Sequence, residues 1–177
     1  MNQEIGKKLL SILKVEQVKK DEPMKIHTTF RVGGPASYFV TPETEEEVAK
    51  VIEVCTQENV PYYIVGNEGV IIQIYKQMNR VEITENEIHA QAGALLSMIA
   101  NRAMEAELTG FEFAAGIPGT LGGACVMNAG AYGGEMKDVL ETVTVLTRDG
   151  DVKTLTKDEL ELGYRTSVIA KKDYIVL

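Results

Sequence analysis

Seven of the chain's sixteen glycines fall in the nineteen positions from Gly116 to Gly134, in the run G-I-P-G-T-L-G-G-A-C-V-M-N-A-G-A-Y-G-G. So many residues without a Cβ imply that backbone there comes close to another surface. Glycine lets amide N–H groups approach a pyrophosphate directly, and a helix beginning near Thr120 would aim its positive end at the same anion. The spacing of Gly116, Gly119 and Gly122 is not the G-x-G-x-x-G fingerprint, no strand-to-helix dinucleotide context surrounds it, and no G-K-[ST] ending makes it a P-loop. The residues alone therefore leave two readings open: a cradle for a phosphate or cofactor of another type, or tight packing of small residues between two lobes.

The rest of the chain predicts the frame for this segment. Ile5, Leu9, Ile12 and Leu13 stand at helical spacing, so an amphipathic helix is expected within residues 1–20. Residues 24–34 read as extended and 36–41 as a strand. Thr44 and Glu47 form a capping box ahead of Val48, Val51, Ile52 and Cys55, predicting a helix to about Asn59. Strands are expected at 62–65 and 70–74, with a hairpin turning at Glu85-Asn86. A second helix is expected from about Leu95 to Glu107. Residues 139–147 and 152–155 read as a hairpin with a two-residue turn at Asp149-Gly150. Thr156 and Glu159 predict a short helix ended by Gly163, and 174–177 a last strand. The expected fold class is α+β, with lobes at 1–78 and 79–177.

Composition excludes some function classes. Eighteen basic against twenty-six acidic residues give a net charge of −8, which argues against a nucleic-acid surface and against binding to an anionic membrane. No apolar run is long enough to cross a bilayer. His27 and His89 are isolated, so no metal site is expected. Cys55 and Cys125 read as buried thiols in a reducing cytoplasm. The sequence indicates no particular oligomeric state.

G-I-P-G-T-L-G-G-A followed by M-N-A-G-A-Y-G-G-E resembles the flavin-binding signature of the UDP-N-acetylenolpyruvoylglucosamine reductase (MurB) family, within the vanillyl-alcohol-oxidase-like flavoproteins. Three further segments agree in order: residues 28–36 (T-T-F-R-V-G-G-P-A), 64–67 (I-V-G-N) and 163–167 (G-Y-R-T-S). The resemblance implies a two-lobed FAD-binding fold. It implies that FAD mediates hydride transfer from NADPH to the enolpyruvyl double bond of a UDP-sugar, giving UDP-N-acetylmuramate for peptidoglycan. It assigns Arg165 as the catalytic residue that stabilises charge developing on the substrate, a task suited to a guanidinium. Tyr164 would shape the substrate site. Gly66, Asn67, Ile117, Gly119, Thr120, Gly122, Gly123, Asn128, Ala129, Gly130, Tyr132 and Gly133 would line the cofactor. Phe30 and Arg31 are expected to support the first lobe.

Two departures from the family stand out. The family continues after its counterpart of Gly66-Asn67 with a longer phosphate-wrapping loop, whereas here Asn67 is followed directly by Glu68-Gly69-Val70. That loop is either deleted or left out of the joined sequence, and the second case predicts an Asn67–Glu68 Cα separation above roughly 3.8 Å. The family's proton-donating serine and catalytic glutamate lie beyond the Y-R motif, so the substrate-binding region is expected to be missing and the piece alone to be inactive. Ser167 is not that serine. Two alternatives are another flavin oxidoreductase of this fold, acting on a small hydroxy acid or sugar, and a non-catalytic nucleotide-binding module.

Overall fold

The computed structural model describes residues 3–28, 31–64, 70–75 and 77–177. The chain divides into two compact units, Met1–Gln77 and Met78–Leu177.

The first unit opens with helix α1 (Gln3–Ile12), whose Ile5 and Leu9 are buried at the predicted spacing. The helical reading does not extend to residue 20. Strand β1 (Val18–Pro23) instead pairs antiparallel with β2 (Pro35–Val40), in the register Val18↔Val40 and Glu22↔Ala36. V-K-K-D-E-P shows no alternating apolar pattern, and pairing with a buried neighbour satisfies its backbone. Residues 24–34 are not uniformly extended either. Met24–Ile26 forms a 3-10 turn, and His27 stacks on Phe39 at 4.2 Å.

Helix α2 (Glu45–Gln57) starts as expected, with the Glu47 amide donating to the Thr44 hydroxyl at 3.2 Å. The Glu47 carboxylate accepts from the Glu43 amide rather than closing the box on Thr44. Val48, Val51, Ile52 and Cys55 are buried. Strands β3 (Tyr62–Ile64) and β4 (Val70–Ile72) complete a sheet of order β1-β2-β4-β3. All three residues of the interior strand β4 are buried, as a strand covered on both faces requires. β3 and β4 pair in parallel although five residues separate them in the chain, where parallel neighbours ordinarily need a crossover of about a dozen or more.

The second unit begins with the predicted hairpin, β5 (Val81–Thr84) and β6 (Glu87–Ala90), turning through Glu85 with φ 53°. Helix α3 (Leu96–Glu105) buries Leu96, Ile99 and Ala103. Then follow α4 (Leu121–Val126), the short strands β7 (Gly130–Ala131) and β8 (Gly134–Glu135), and helix α5 (Met136–Val139). Strands β9 (Thr142–Leu146), β10 (Val152–Thr156) and β11 (Ile175–Val176) form an antiparallel sheet of order β10-β9-β11, and α6 (Val168–Lys171) precedes β11.

Two local expectations change here. The β9–β10 loop has three residues, because Thr147 donates to the Asp151 carbonyl at 2.9 Å, and Gly150 takes the left-handed position with φ 91°. At Thr156 the capping contact forms, with its amide and hydroxyl both 2.8 Å from the Glu159 carboxylate. That backbone N–H holds the Glu159 carboxyl below its ordinary range. Residues 157–161 nevertheless form only a turn, and Glu161 is left-handed at φ 46°.

Candidate active site on the second unit

The glycines of the 116–134 stretch divide into two kinds. A Cβ at Gly122 would sit 3.0 Å from the Ala92 Cβ, at Gly130 2.7 Å from the Gly134 carbonyl oxygen, and at Gly134 2.9 Å from the Phe113 ring. Those three are small because protein packs on them. At Gly116 and Gly119 an added Cβ meets nothing within 4 Å, and at Gly123 only the Thr120 hydroxyl at 3.8 Å. All three are exposed, and Gly119 has φ +146°.

α4 contains adjacent glycines and has little intrinsic tendency to form. It is held from outside: Leu121 and Gly122 donate to the Ala94 and Ala92 carbonyls, both at 2.8 Å, and Leu96 donates to the Gly119 carbonyl at 3.1 Å. These bonds pin the 116–120 loop against the start of α3. They also occupy two of the four amides that a helix start leaves free. Among the described residues the amides of Gly119, Thr120 and Gly123 have no acceptor, and the Thr120 side chain makes no cap. Unpaired donors on a side-chain-free surface are what a phosphate group requires.

Past α4 the chain turns back through a Schellman cap. Asn128 takes the left-handed position with φ 46°, Ala129 donates to the Ala124 carbonyl at 2.9 Å, and Asn128 to the Cys125 carbonyl at 3.4 Å. Asn128 is 4% exposed, and its side chain is committed internally. Its amide nitrogen donates to Glu135 and, at 3.1 Å, to the Gly163 carbonyl, while its oxygen accepts from the Lys137 amide at 2.9 Å. The residue expected to line a cofactor is thus tied into the unit's own structure. Ala129 and Gly122 are buried as well. Gly130, Tyr132 and Gly133 are exposed, and Ile117 and Thr120 are half-buried. β7 and β8 are joined by Tyr132-Gly133 with φ 53° and 88°, a type I′ turn that leaves Tyr132 96% exposed.

Tyr164 and Arg165 occupy the centre of a second tight turn. Gly163 and Thr166 exchange backbone bonds at 3.0 and 3.2 Å. Tyr164 is 91% exposed, and Arg165 is exposed with φ 55°. A non-glycine residue in that region is strained and needs its surroundings to hold it. The Arg165 guanidinium has no carboxylate partner among the described residues, so it is available to an outside anion. Ser167, fully buried, donates to the Val126 carbonyl at 2.6 Å. Sequence reasoning missed Glu135 and Ser167 as anchors of this turn; the only hint was Ser167 standing at the N-cap of α6.

Gly66, Asn67, Phe30 and the Asn67–Glu68 junction lie outside the described residues, and Arg31 is exposed. Among the described residues no group of three His, Cys, Asp or Glu could hold a metal, and no helix is long and apolar enough to cross a membrane. Both thiols are free and buried, and burial pushes each up to about 12. A groove of about 400 Å³ between Lys137, Asp138, Lys157, Asp158 and Glu161 carries mixed charge and includes none of the open glycines.

Residues 36–156 match the family described as FAD binding domain. The UDP-N-acetylenolpyruvoylglucosamine reductase of Clostridioides difficile (strain 630) is 47% identical over 187 residues, which cover 99% of this chain and 62% of that protein. The crystal structure of UDP-N-acetylenolpyruvylglucosamine reductase (MurB) from Thermus caldophilus superposes with TM-score 0.68 at 33% identity, over 90% of this chain and 58% of that one. p-Cresol methylhydroxylase, at 16% identity and TM-score 0.65 over 97% of this chain and 41% of its own, shares the fold alone. The chain spans about three fifths of the curated relatives it matches.

Proposed function

The chain belongs to the FAD binding domain family, and on that premise we propose that it is the flavin-binding part of a UDP-N-acetylenolpyruvoylglucosamine reductase. The observation that carries the proposal is a pair of features on one unit: open glycines beside amides with no acceptor among the described residues, and an exposed Arg165 on a strained turn with no carboxylate partner among them. The first fits the diphosphate of FAD, with Gly119, Thr120 and Gly123 donating their amides and Ile117, Gly130, Tyr132 and Gly133 extending the surface. Gly122, Asn128 and Ala129 would act through packing and hydrogen bonding behind it. Gly66 and Asn67 keep the cofactor-lining role that the resemblance gives them and lie outside the described residues.

When bound, FAD supplies hydride transfer between NADPH and the enolpyruvyl group of a UDP-sugar. Arg165 holds the negative charge that hydride addition places beside the substrate carboxylate, through a fork that stays protonated. Tyr164 borders the same surface. Two further features support a chain shorter than its relatives in the loop after Asn67. The match to the Clostridioides difficile protein runs to 187 positions against 177 residues here, and β3 and β4 pair in parallel with only five residues between them. Two free, buried thiols support placement in the cytoplasm.

Titrating the chain with FAD, followed by flavin fluorescence and absorbance, tests the cofactor assignment; no change at any flavin concentration would overturn it. In the full-length protein, NADPH oxidation should require UDP-N-acetylglucosamine enolpyruvate. Arg165→Ala should lower kcat by roughly 10²–10³-fold. Unchanged turnover in that variant would remove Arg165 from the mechanism.

A further inference from the structure

We propose that Asn128 and Ser167 are positioning residues, which brace the Gly163–Thr166 turn from both sides and so fix the backbone that carries Arg165. The brace rests on hydrogen-bond geometry, and its meaning for catalysis rests on the reading of Arg165 given above.

Four observations converge on it. The Gly163 carbonyl, on the near side of the turn, accepts from the Asn128 amide at 3.1 Å. Ser167, just beyond the far side, donates to the Val126 carbonyl at 2.6 Å and accepts from the Ala170 amide at 3.2 Å. Val126 and Asn128 stand two residues apart at the C-terminal end of α4, so both ends of the turn are fastened to one place. Both anchors are buried, and no buried side-chain polar atom among the described residues lacks a partner.

Arg165 itself is exposed and has φ 55°. Nothing about an exposed arginine holds it in the left-handed region; the surrounding structure must do so. Asn128 suits this role in two ways. Its type tolerates the left-handed cap position, and its primary amide has two hydrogens for two acceptors, Glu135 and Gly163. The Glu135 carboxylate can only accept, and the Lys137 backbone amide donates to the Asn128 oxygen, so the two together fix which way the side-chain amide faces.

The test is hydrogen exchange by mass spectrometry on the full chain, comparing wild type with Asn128→Gly, Asn128→Asp and Ser167→Ala. Glycine keeps the left-handed backbone and removes only the side-chain bonds, so a defect in Asn128→Gly is not a failure of the cap. The aspartate variant keeps the shape but loses the donor and faces Glu135 with a like charge. Exchange across residues 163–166 should accelerate about tenfold in each variant, while the β9–β10 hairpin stays within about twofold. Unchanged exchange at 163–166, or equal acceleration in the hairpin, would overturn the brace.

Turnover in the full-length protein separates the two claims. If Asn128 acts through Arg165, Asn128→Gly lowers kcat in wild type and has no further effect in an Arg165→Ala background. A loss that persists in that background, or Arg165→Ala impaired with Asn128→Gly at full activity, overturns the positioning role. Accelerated exchange with Arg165→Ala fully active leaves the brace standing and removes Arg165 from the chemistry.

Discussion

Between residues 116 and 123, a Cβ added at Gly116 or Gly119 would meet nothing within 4 Å; between 128 and 134, one added at Gly130 would lie 2.7 Å from the Gly134 carbonyl oxygen. The two halves of the stretch look alike on paper. In the first, open glycines border amides that no acceptor among the described residues satisfies. In the second, the backbone is folded tightly on itself through a Schellman cap and a type I′ turn. Low side-chain volume thus has two causes within twenty residues: room kept for something outside the unit, and room already filled from inside. Each half has one exception: Gly122 packs on Ala92, and a Cβ at Gly133 would meet nothing within 4 Å.

Substitution should separate the halves by size and sign of effect. The largest effect is expected at Gly130, where a methyl would overlap the Gly134 carbonyl and, at 2.8 Å, the Glu135 Cβ. Because backbone is among the clashing atoms, no rotamer change relieves it. Gly130→Ala should cost about 2–3 kcal/mol in urea unfolding. A cost below about 0.5 kcal/mol would mean that the β7–β8 turn is looser than its geometry indicates.

Gly123 should show the opposite sign. It lies within α4, is exposed, and has only the Thr120 hydroxyl near its Cβ position, at 3.8 Å. Alanine in such a helical position ordinarily adds about 0.5–1 kcal/mol of stability. Gly123→Ala should therefore melt higher than wild type while binding FAD about tenfold more weakly. Stability gained together with affinity lost is the signature of a glycine retained for close approach. A more stable variant with undiminished flavin affinity would place the cofactor elsewhere.

The elements with strong local signals were legible in the sequence, and those set by distant pairing were not. α2 and α3 follow from apolar spacing, and the 85–86 turn from its flanking alternation. β1 was hidden, because V-K-K-D-E-P has no alternating apolar face and becomes a strand by pairing with β2. At Thr156 the capping contact was readable and the helix was not, since the contact forms in a single turn that ends at left-handed Glu161. The same distinction runs through the site. The crowding of glycines announced a close approach of backbone, but which glycines face protein and which face outward depends on Ala92, Phe113 and Glu135, far away or unremarkable in the sequence. Asn128 shows the limit most sharply. Its motif pointed to the cofactor, and nothing in the motif foretold the burial and the three side-chain bonds that tie it to the cap and the neighbouring turn.

Gly116 gives the smallest expected effect on stability and the cleanest test of the open half. Its backbone is not left-handed, it lies outside α4, and no atom stands within 4 Å of a built Cβ. Gly116→Ala has neither the helical gain expected at Gly123 nor the clash expected at Gly130, so its urea midpoint should correspond to wild type within about 0.5 kcal/mol. Any change in FAD affinity then reflects a methyl group on an otherwise unaltered surface. Weaker binding at constant stability would extend the cradle from Gly119 back to Gly116. Unchanged binding would set its edge between those two residues, leaving the Gly119, Thr120 and Gly123 amides as the proposed donors to the diphosphate.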